Sequence, residues 1–298
     1  MVDYESTQDV LTSLAQTVDR LIQVDGDHKT AIPALSLHRH SEPSASHCLY
    51  NLGLGIVLQG EKQVVVGDQI LTYSAGQSMI TTIDIPVVSH TRNSAGHKPF
   101  LGLMLLLDAS MITKMATQMG QLNFKEQVQP SFAVQPIDYV LIEAVQRLVA
   151  LLDDPILLPQ LSPIIQQEIL IRLLTGVNGV YLRQLVKTGS VSEKIVNVVN
   201  WLKQNFVESI RLDELADQVY MSAATLRHHF REVTGMSPLQ YQKQLRLQQA
   251  RHLMFSQHLD VGHAADLVGY ESVSQFSREY SRLFGATPQK DRHSLKFF

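Results

Sequence analysis

The sequence predicts an α+β protein of two domains: an N-terminal antiparallel β-barrel or sandwich with flanking helices, and a C-terminal all-α domain with two helix-turn-helix units. Three observations predict it. Residues from about Pro33 to Leu107 read as short strands separated by turn residues. From Ala109 onward apolar residues recur at helical spacing. The stretch "SAATLRHHFREVTGMSP", which begins at Ser222, returns fifty residues later as "SVSQFSREYSRLFGATP" from Ser272.

A first helix is predicted near the N-terminus, where Val10, Leu11, Leu14, Val18, Leu21 and Ile22 form one apolar stripe. The strand candidates are "LYNLGLGIVLQG", "EKQVVVG", "QILTY", "QSMITTI", "PVVSHT" and "FLGLMLLL". Gly60-Glu61, Gly67-Asp68, Ala75-Gly76 and Asn93-Ser94 separate them as tight turns. Short, evenly spaced strands favour an antiparallel architecture over a parallel sheet. Helices follow: "SMITKMATQMG" stops at Gly120, and a second stripe comprises Ile137, Val140, Leu141, Ala144, Val145, Leu148 and Leu152. Ile164, Ile165, Ile169, Leu170, Leu173 and Leu174 form a third. These helices either cover the barrel or receive a second copy of the chain, so the region 137–175 is a candidate homodimer surface. "KTGSVS", residues 187–192, is the linker by composition.

Composition narrows the function classes. The chain has 298 residues, 45% hydrophobic and 18% charged, which suits two folded domains. Its formal charge of −3 divides unevenly, +2 from Ser190 onward and −5 before it, a weak basic bias. A single cysteine, Cys48, excludes an internal disulfide framework. The longest apolar run, from Phe100, is too short to cross a bilayer, and no secretory signal opens the sequence. The expectation is a cytoplasmic protein without a membrane partner.

The repeat carries the functional argument. Ser222 and Ser272 are helix caps; Leu226, Phe230 and Val233 match Phe276, Tyr280 and Leu283 as buried stripes. Gly235 matches Gly285, and Pro238 matches Pro288. Opposite the stripes lie Ala224, Arg227, His228 and Arg231 in one copy and Ser274, Ser277, Arg278 and Ser281 in the other. Small residues at a helix start let the backbone approach a groove, and arginine donates two bonds to guanine. The expected base contacts are Ala224, Arg227, His228, Val273, Ser274, Ser277 and Arg278. Phosphate candidates are Ser222, Arg231, Arg246, Ser272, Arg282, Lys290 and Arg292; for Arg246, as for Arg251, a structural ion pair is the slightly favoured alternative. The segment "LQYQKQLRLQQARHLMFSQ" between the copies reads as one long helix that fixes their separation.

The stretches "IRLDELADQVYMSAATLRHHFREVTGMSPLQYQKQLRLQQARHLM" and "AADLVGYESVSQFSREYSRLFGATPQKDR" resemble the DNA-binding domain of the AraC/XylS family of bacterial transcription regulators. The segment "IVLQGEKQVVVGDQILTYSAGQSMITTIDIPV" is similar to the cupin-like N-terminal domain of one subgroup. The resemblance implies a cupin-like regulatory domain (1–130), a helical dimerisation or linker region (131–189) and a DNA-binding domain (190–298). The paired motifs fall at about 211–232 and 261–282. It further implies a sequence-specific factor, more often an activator, that engages double-stranded DNA and RNA polymerase and whose barrel senses a small molecule. No resident cofactor is expected. His228 departs from the family pattern: many relatives carry arginine there.

The rival reading is a metal-dependent cupin enzyme fused to a DNA-binding domain. His38, His40, Glu42 and His47 cluster in "HRHSEPSASH", with His90 and His97 as distant ligands. Histidines at i and i+2 share a strand face, yet Glu42 follows too soon for a cupin metal motif. No nucleophile triad, phosphate loop or cysteine–zinc spacing appears. The adjacent His228 and His229 diverge by about 100° on a helix, a poor start for a shared metal. The expectation is a regulator without catalytic residues or metal.

Overall fold

A computed structural model describes residues 6–93, 98–120, 128–187 and 189–294. The chain divides into two compact units, Met1–Glu193 and Lys194–Phe298.

The first unit opens with α1 (Thr7–Leu21), started by a capping box in which Ser6 Oγ accepts from the Asp9 amide and the Asp9 carboxylate accepts from the Ser6 amide. Nine strands follow: β1 (Gly26–Lys29), β2 (Leu35–His40), β3 (Ser44–Tyr50), β4 (Gly53–Gln59), β5 (Glu61–Val66), β6 (Gln69–Ser74), β7 (Gln77–Thr81), β8 (Ile85–Arg92) and β9 (Phe100–Leu106). Then come α2 (Ala109–Gln118), β10 (Phe132–Pro136), α3 (Tyr139–Ala150), α4 (Leu158–Thr175) and the short α5 (Gly179–Arg183).

All described pairings are antiparallel, as the strand lengths predict. They form two sheets, ordered β1-β2-β9-β4-β7-β10 and β3-β8-β5-β6, so the predicted barrel is an open two-sheet form rather than one closed ring. Gly60, Gly67 and Gly76 each take positive φ at the expected turns; Ser94 of the fourth turn lies outside the described residues. The strand candidates omit β1, β2, most of β3, and β10. The last of these returns to pair with β7, Phe132 opposite Thr81.

One continuous core joins α1 (Val10, Leu14, Val18) to the first sheet (Leu54, Ile56, Leu103) and to α3 and α4 (Leu141, Val145, Leu148, Ile169, Leu173). The buried faces of α3 and α4 therefore cover the sheet. Of the predicted stripes, Val140 and Ile164 point outward, and Ile164 is 61% exposed. Arg147 and Arg172 meet at Glu168, joining α3 to α4.

The second unit is helical: α6 (Val191–Gln204, within which the division falls), α7 (Leu212–Gln218), α8 (Ala223–Thr234), α9 (Pro238–Ser256), α10 (Val261–Leu267), α11 (Val273–Phe284) and α12 (Pro288–Ser294). The helix α9 serves both repeats. Its Tyr241 meets Phe230 of α8 edge to face at 5.6 Å, while Leu247, Ala250 and Met254 enter the cluster built by Ala264, Ala265, Val268, Phe276 and Tyr280. Among the described residues no single helix is long and apolar enough to cross a membrane.

The copies share caps and turns. Ser222 Oγ accepts from the Thr225 amide and Ser272 Oγ from the Gln275 amide. Gly235 (φ 76°) and Gly285 (φ 73°) end the two helices in the left-handed conformation. The turn between the paired helices reverses on one left-handed residue, Tyr220 (φ 53°) in the first copy and Gly269 (φ 82°) in the second. Glu271 lengthens the second turn, so the offset is 49 residues before it (Leu212 to Val261) and 50 after it (Ser222 to Ser272).

The two turn residues are not equivalent in what they tolerate. A Cβ on Gly269 would lie 2.3 Å from the Val207 carbonyl oxygen, whereas Tyr220 is 89% exposed and carries only the backbone strain. Replacing Tyr220 with glycine is expected to stabilise the second unit by about 1 kcal/mol. Replacing Gly269 with alanine is expected to destabilise it by several times that amount, both read from urea unfolding midpoints.

Candidate nucleic-acid interface

The geometry of α8 follows from its period. Leu226, Phe230 and Val233 are buried, which turns Ala224, Arg227, His228 and Arg231 outward as one exposed row. In α11, Phe276 and Tyr280 are fully buried and Leu283 is half-buried. Val273, Ser274 and Arg278 are exposed, and Ser277 is half-buried beside them. Ser281 is drawn inward, its hydroxyl donating to the Ser277 carbonyl at 2.8 Å. Each exposed row begins at a capped helix N-terminus, where backbone N–H groups and the helix dipole favour a phosphate. The side chains of Ser222 and Ser272 are occupied as caps, accepting from the Thr225 and Gln275 amides.

The remaining basic residues divide into two sets. Arg231, Arg282 and Lys290 are exposed. Arg246, which the sequence offers both as a phosphate contact and, slightly favoured, as a structural residue, takes the structural role, and the expectation that it contacts phosphate is corrected. Its Nε donates to the Phe206 carbonyl, Nη1 to Gly269, and Nη2 to both Val207 (2.7 Å) and Glu208 (2.9 Å). Gln242, one turn earlier on α9, donates to the same loop at Phe206 and Glu208. Arg292 is also turned inward, donating to the His258 carbonyl at 2.9 Å. Both are anchors between segments of the domain.

Two further ties fix α11; the structural ion pair expected of Arg251 is found, whereas its partner Asp291 and the Lys243 pair were not read from the sequence. Lys243 of α9 pairs with Glu279 of α11 at 3.0 Å, and Glu279 also accepts from the Tyr270 hydroxyl at 2.8 Å. Arg251 pairs with Asp291 at 2.9 Å, Asp291 accepts from the Tyr280 hydroxyl, and the Arg251 guanidinium lies 5.1 Å from the Phe284 ring centroid. Tyr270 is buried edge to face against Phe276, a core aromatic at the turn. These contacts tie α11 and α12 to α9.

The histidines of the first unit assemble differently from the rival reading. His38 and His40 do share a face of β2, but both turn to Asp27, His38 Nδ1 at 2.5 Å and His40 Nε2 at 3.6 Å. Asp27 arrives because β1 pairs with β2 in a register that sets it opposite His38. Glu42 is exposed beyond the end of β2, His47 and His90 stand on the other sheet, and His97 lies outside the described residues. Hydrogen bonds from His38 and His40 hold the Asp27 carboxyl well below the usual carboxylate range. Burial pushes the His38 imidazole below its ordinary value despite the opposing pull of Asp27.

A two-sheet N-terminal domain followed by paired helix-turn-helix units on one connecting helix has the architecture of a transcription regulator. The AraC-type transcriptional regulator N-terminus model matches residues 31–181, and a helix-turn-helix domain model matches residues 215–294. The chain belongs to the AraC-type transcriptional regulators. It is 29% identical over 157 residues to the HTH-type transcriptional activator RhaS of Escherichia fergusonii, covering 52% of this chain and 56% of that protein. It is 32% identical over 102 residues to RhaS of Yersinia pestis strain Pestoides F, covering 34% and 37%. The chain thus spans about half the length, or less, of the curated relatives it matches. The fold is shared with unsaturated-fatty-acid-bound ToxT of Vibrio cholerae strain SCE256: TM-score 0.58, 12% identity, 89% of this chain and 96% of that one.

Arg246→Ala removes four bonds to carbonyls, and is expected to cost about 2–4 kcal/mol because those acceptors lose a charged donor. Arg246→Lys should recover little of it, since an ammonium cannot span that fork; thermal unfolding of the two variants checks this. Near pH 7 the ordinary imidazole value of about 6.5 leaves His38 neutral in folded and unfolded chains alike. As pH falls through that value the unfolded chain takes up a proton that the folded chain refuses, so stability declines. His38→Asn is expected to flatten this decline between about pH 7 and pH 5, measured by urea unfolding at each pH.

Proposed function

We propose that the protein is a sequence-specific transcriptional activator that reads two successive major-groove segments of double-stranded DNA with α8 and α11. The observation that carries this reading is the conserved scaffold of the two copies against their divergent exposed rows. Caps, buried stripes and closing glycines repeat, whereas Arg227 and His228 stand in one row and Ser274, Ser277 and Arg278 in the other. Two such helices in other regulators sit about 34 Å apart on successive turns of the duplex. Here both lie in one chain on α9. Arg227, His228 and Arg278 are read as base donors, with Ala224, Val273, Ser274 and Ser277 admitting the backbone. Arg231, Arg282 and Lys290 are read as phosphate contacts.

Activation rests on the similarity to RhaS, which is described as an activator. RNA polymerase is the partner that activation requires, and the chain is read as cytoplasmic and without catalytic activity. A second copy is proposed to pack on α4, where Leu161, Ile164 and Ile171 stay exposed along one face. The first unit is read as the sensor of a small molecule, and its chemistry favours an acidic one. Lys62 lies between the sheets, 5.3 Å from the Tyr50 ring centroid and 5.9 Å from that of Phe100.

Fragment 190–298 is expected to retard genomic DNA fragments in a gel shift; a complete absence of retained species would overturn the DNA-binding reading. Arg278→Ala is expected to cost about 1–3 kcal/mol on specific DNA and to relax base preference beneath α11. Equal weakening on specific and random duplexes would instead assign Arg278 to phosphate.

A further inference from the structure

Adjacent helix positions diverge by about 100°, which separates the Cβ atoms of His228 and His229. Their side chains nevertheless reconverge. Both bend toward Glu232, one helical turn further on, which accepts at 3.1 Å from His229 Nδ1 and lies 3.9 Å from His228 Nε2. The imidazole centroids are 5.1 Å apart, and one donor atom from each of the three residues lies within 4.8 Å of the other two. A tetrahedral zinc ion, with bonds of about 2.1 Å, separates its ligand atoms by about 3.4 Å. The two measured separations to Glu232 bracket that value, so closure needs only side-chain torsion.

We propose that His228, His229 and Glu232 form a surface site for a divalent transition metal of the zinc class, and that its occupation takes His228 out of base reading. Two imidazoles and one carboxylate are a donor set that zinc, nickel and copper favour over magnesium or calcium. The scaffold is rigid, because α8 is capped at both ends and held by buried Leu226 and Phe230. The ligands are accessible: the His228 side chain is 75% exposed and that of Glu232 41%. Arg227 and Arg231 flank the site on the same face, and at this exposure the high dielectric of water weakens their repulsion of the ion. Three protein ligands leave a coordination position for water, as in other open sites. A metal on Nε2 removes the nitrogen that His228 would offer to a base. The added positive charge strengthens binding to all duplexes alike, so the loss appears in specificity rather than in total affinity.

The metal site stands on its own geometry; its effect on DNA rests on the reading of α8 as a recognition helix. The full chain is titrated with Zn2+ against a chromophoric chelator, with Co2+ as a spectroscopic substitute, beside His228→Ala and Glu232→Gln. Wild-type protein is expected to bind one equivalent that both variants lose. Equal stoichiometry and affinity in all three would overturn the site, and would assign any bound metal to other histidines such as His38 and His40. In the second measurement, a duplex is selected from a random-sequence pool without metal. Zn2+ is expected to lower the preference of wild-type protein for that duplex over random DNA, and to leave the preference of Glu232→Gln unchanged. An unchanged wild-type preference with metal bound would overturn the coupling alone, and failure of the selection itself would instead count against the DNA-binding reading.

Discussion

The guanidinium of Arg246 is the contact on which the geometry of the DNA-binding unit depends. Four of its N–H bonds end on carbonyls of Phe206, Val207, Glu208 and Gly269. The loop after α6 and the turn of the second helix-turn-helix are thereby tied to the helix that bridges the copies. The bond to Gly269 exists because that residue has no Cβ to strike Val207, and because glycine takes positive φ without strain. Placing a charge at this half-buried junction is costly unless its donors are filled, and here carbonyls fill them. Arg246 therefore acts as a rivet, and the recognition helices inherit their positions from it.

Around that rivet, ion pairs and aromatic contacts complete the fixation of α11. Lys243–Glu279–Tyr270 and Arg251–Asp291–Tyr280 have the same composition, a base on α9, an acid and a tyrosine. Each acid receives both a charged donor and a hydroxyl, which makes the pairs stronger than exposed ion pairs of the same length. In the first copy Phe230 of α8 packs edge to face on Tyr241 of α9, and within α8 the Thr234 hydroxyl donates to the Phe230 carbonyl. The two copies share their caps and closing turns.

The first unit applies the same logic to a sheet. A polar group is kept on β2 because a neighbouring strand supplies its partner: Asp27 opposite His38. Burial then holds the imidazole neutral while the carboxylate stays charged, so the pair is a hydrogen-bonded structural element at neutral pH. Lys62 between Tyr50 and Phe100 has aromatic faces for company, an arrangement that suits a cation.

The sequence by itself determined the elements that depend on near neighbours. The strands between turn glycines, the Ser caps, the stripe Leu226–Phe230–Val233 and the closing Gly235 and Gly285 all follow from period and turn chemistry, which act within a few residues. The exposed row of α8 was legible for the same reason, since a buried stripe dictates its opposite face. What only the tertiary structure decided involves partners distant in sequence. Arg246 lies on a helix that buries Tyr241, Leu245, Leu247 and Met254 around much of its circumference, so no period could say whether it faced water or a carbonyl. Asp27 meets His38 through strand register, β10 reaches β7 by a long return, and Glu279 meets Lys243 across two helices. Local spacing reports which way a side chain leaves its own helix or strand. It carries no record of what chain crossing will place in front of it.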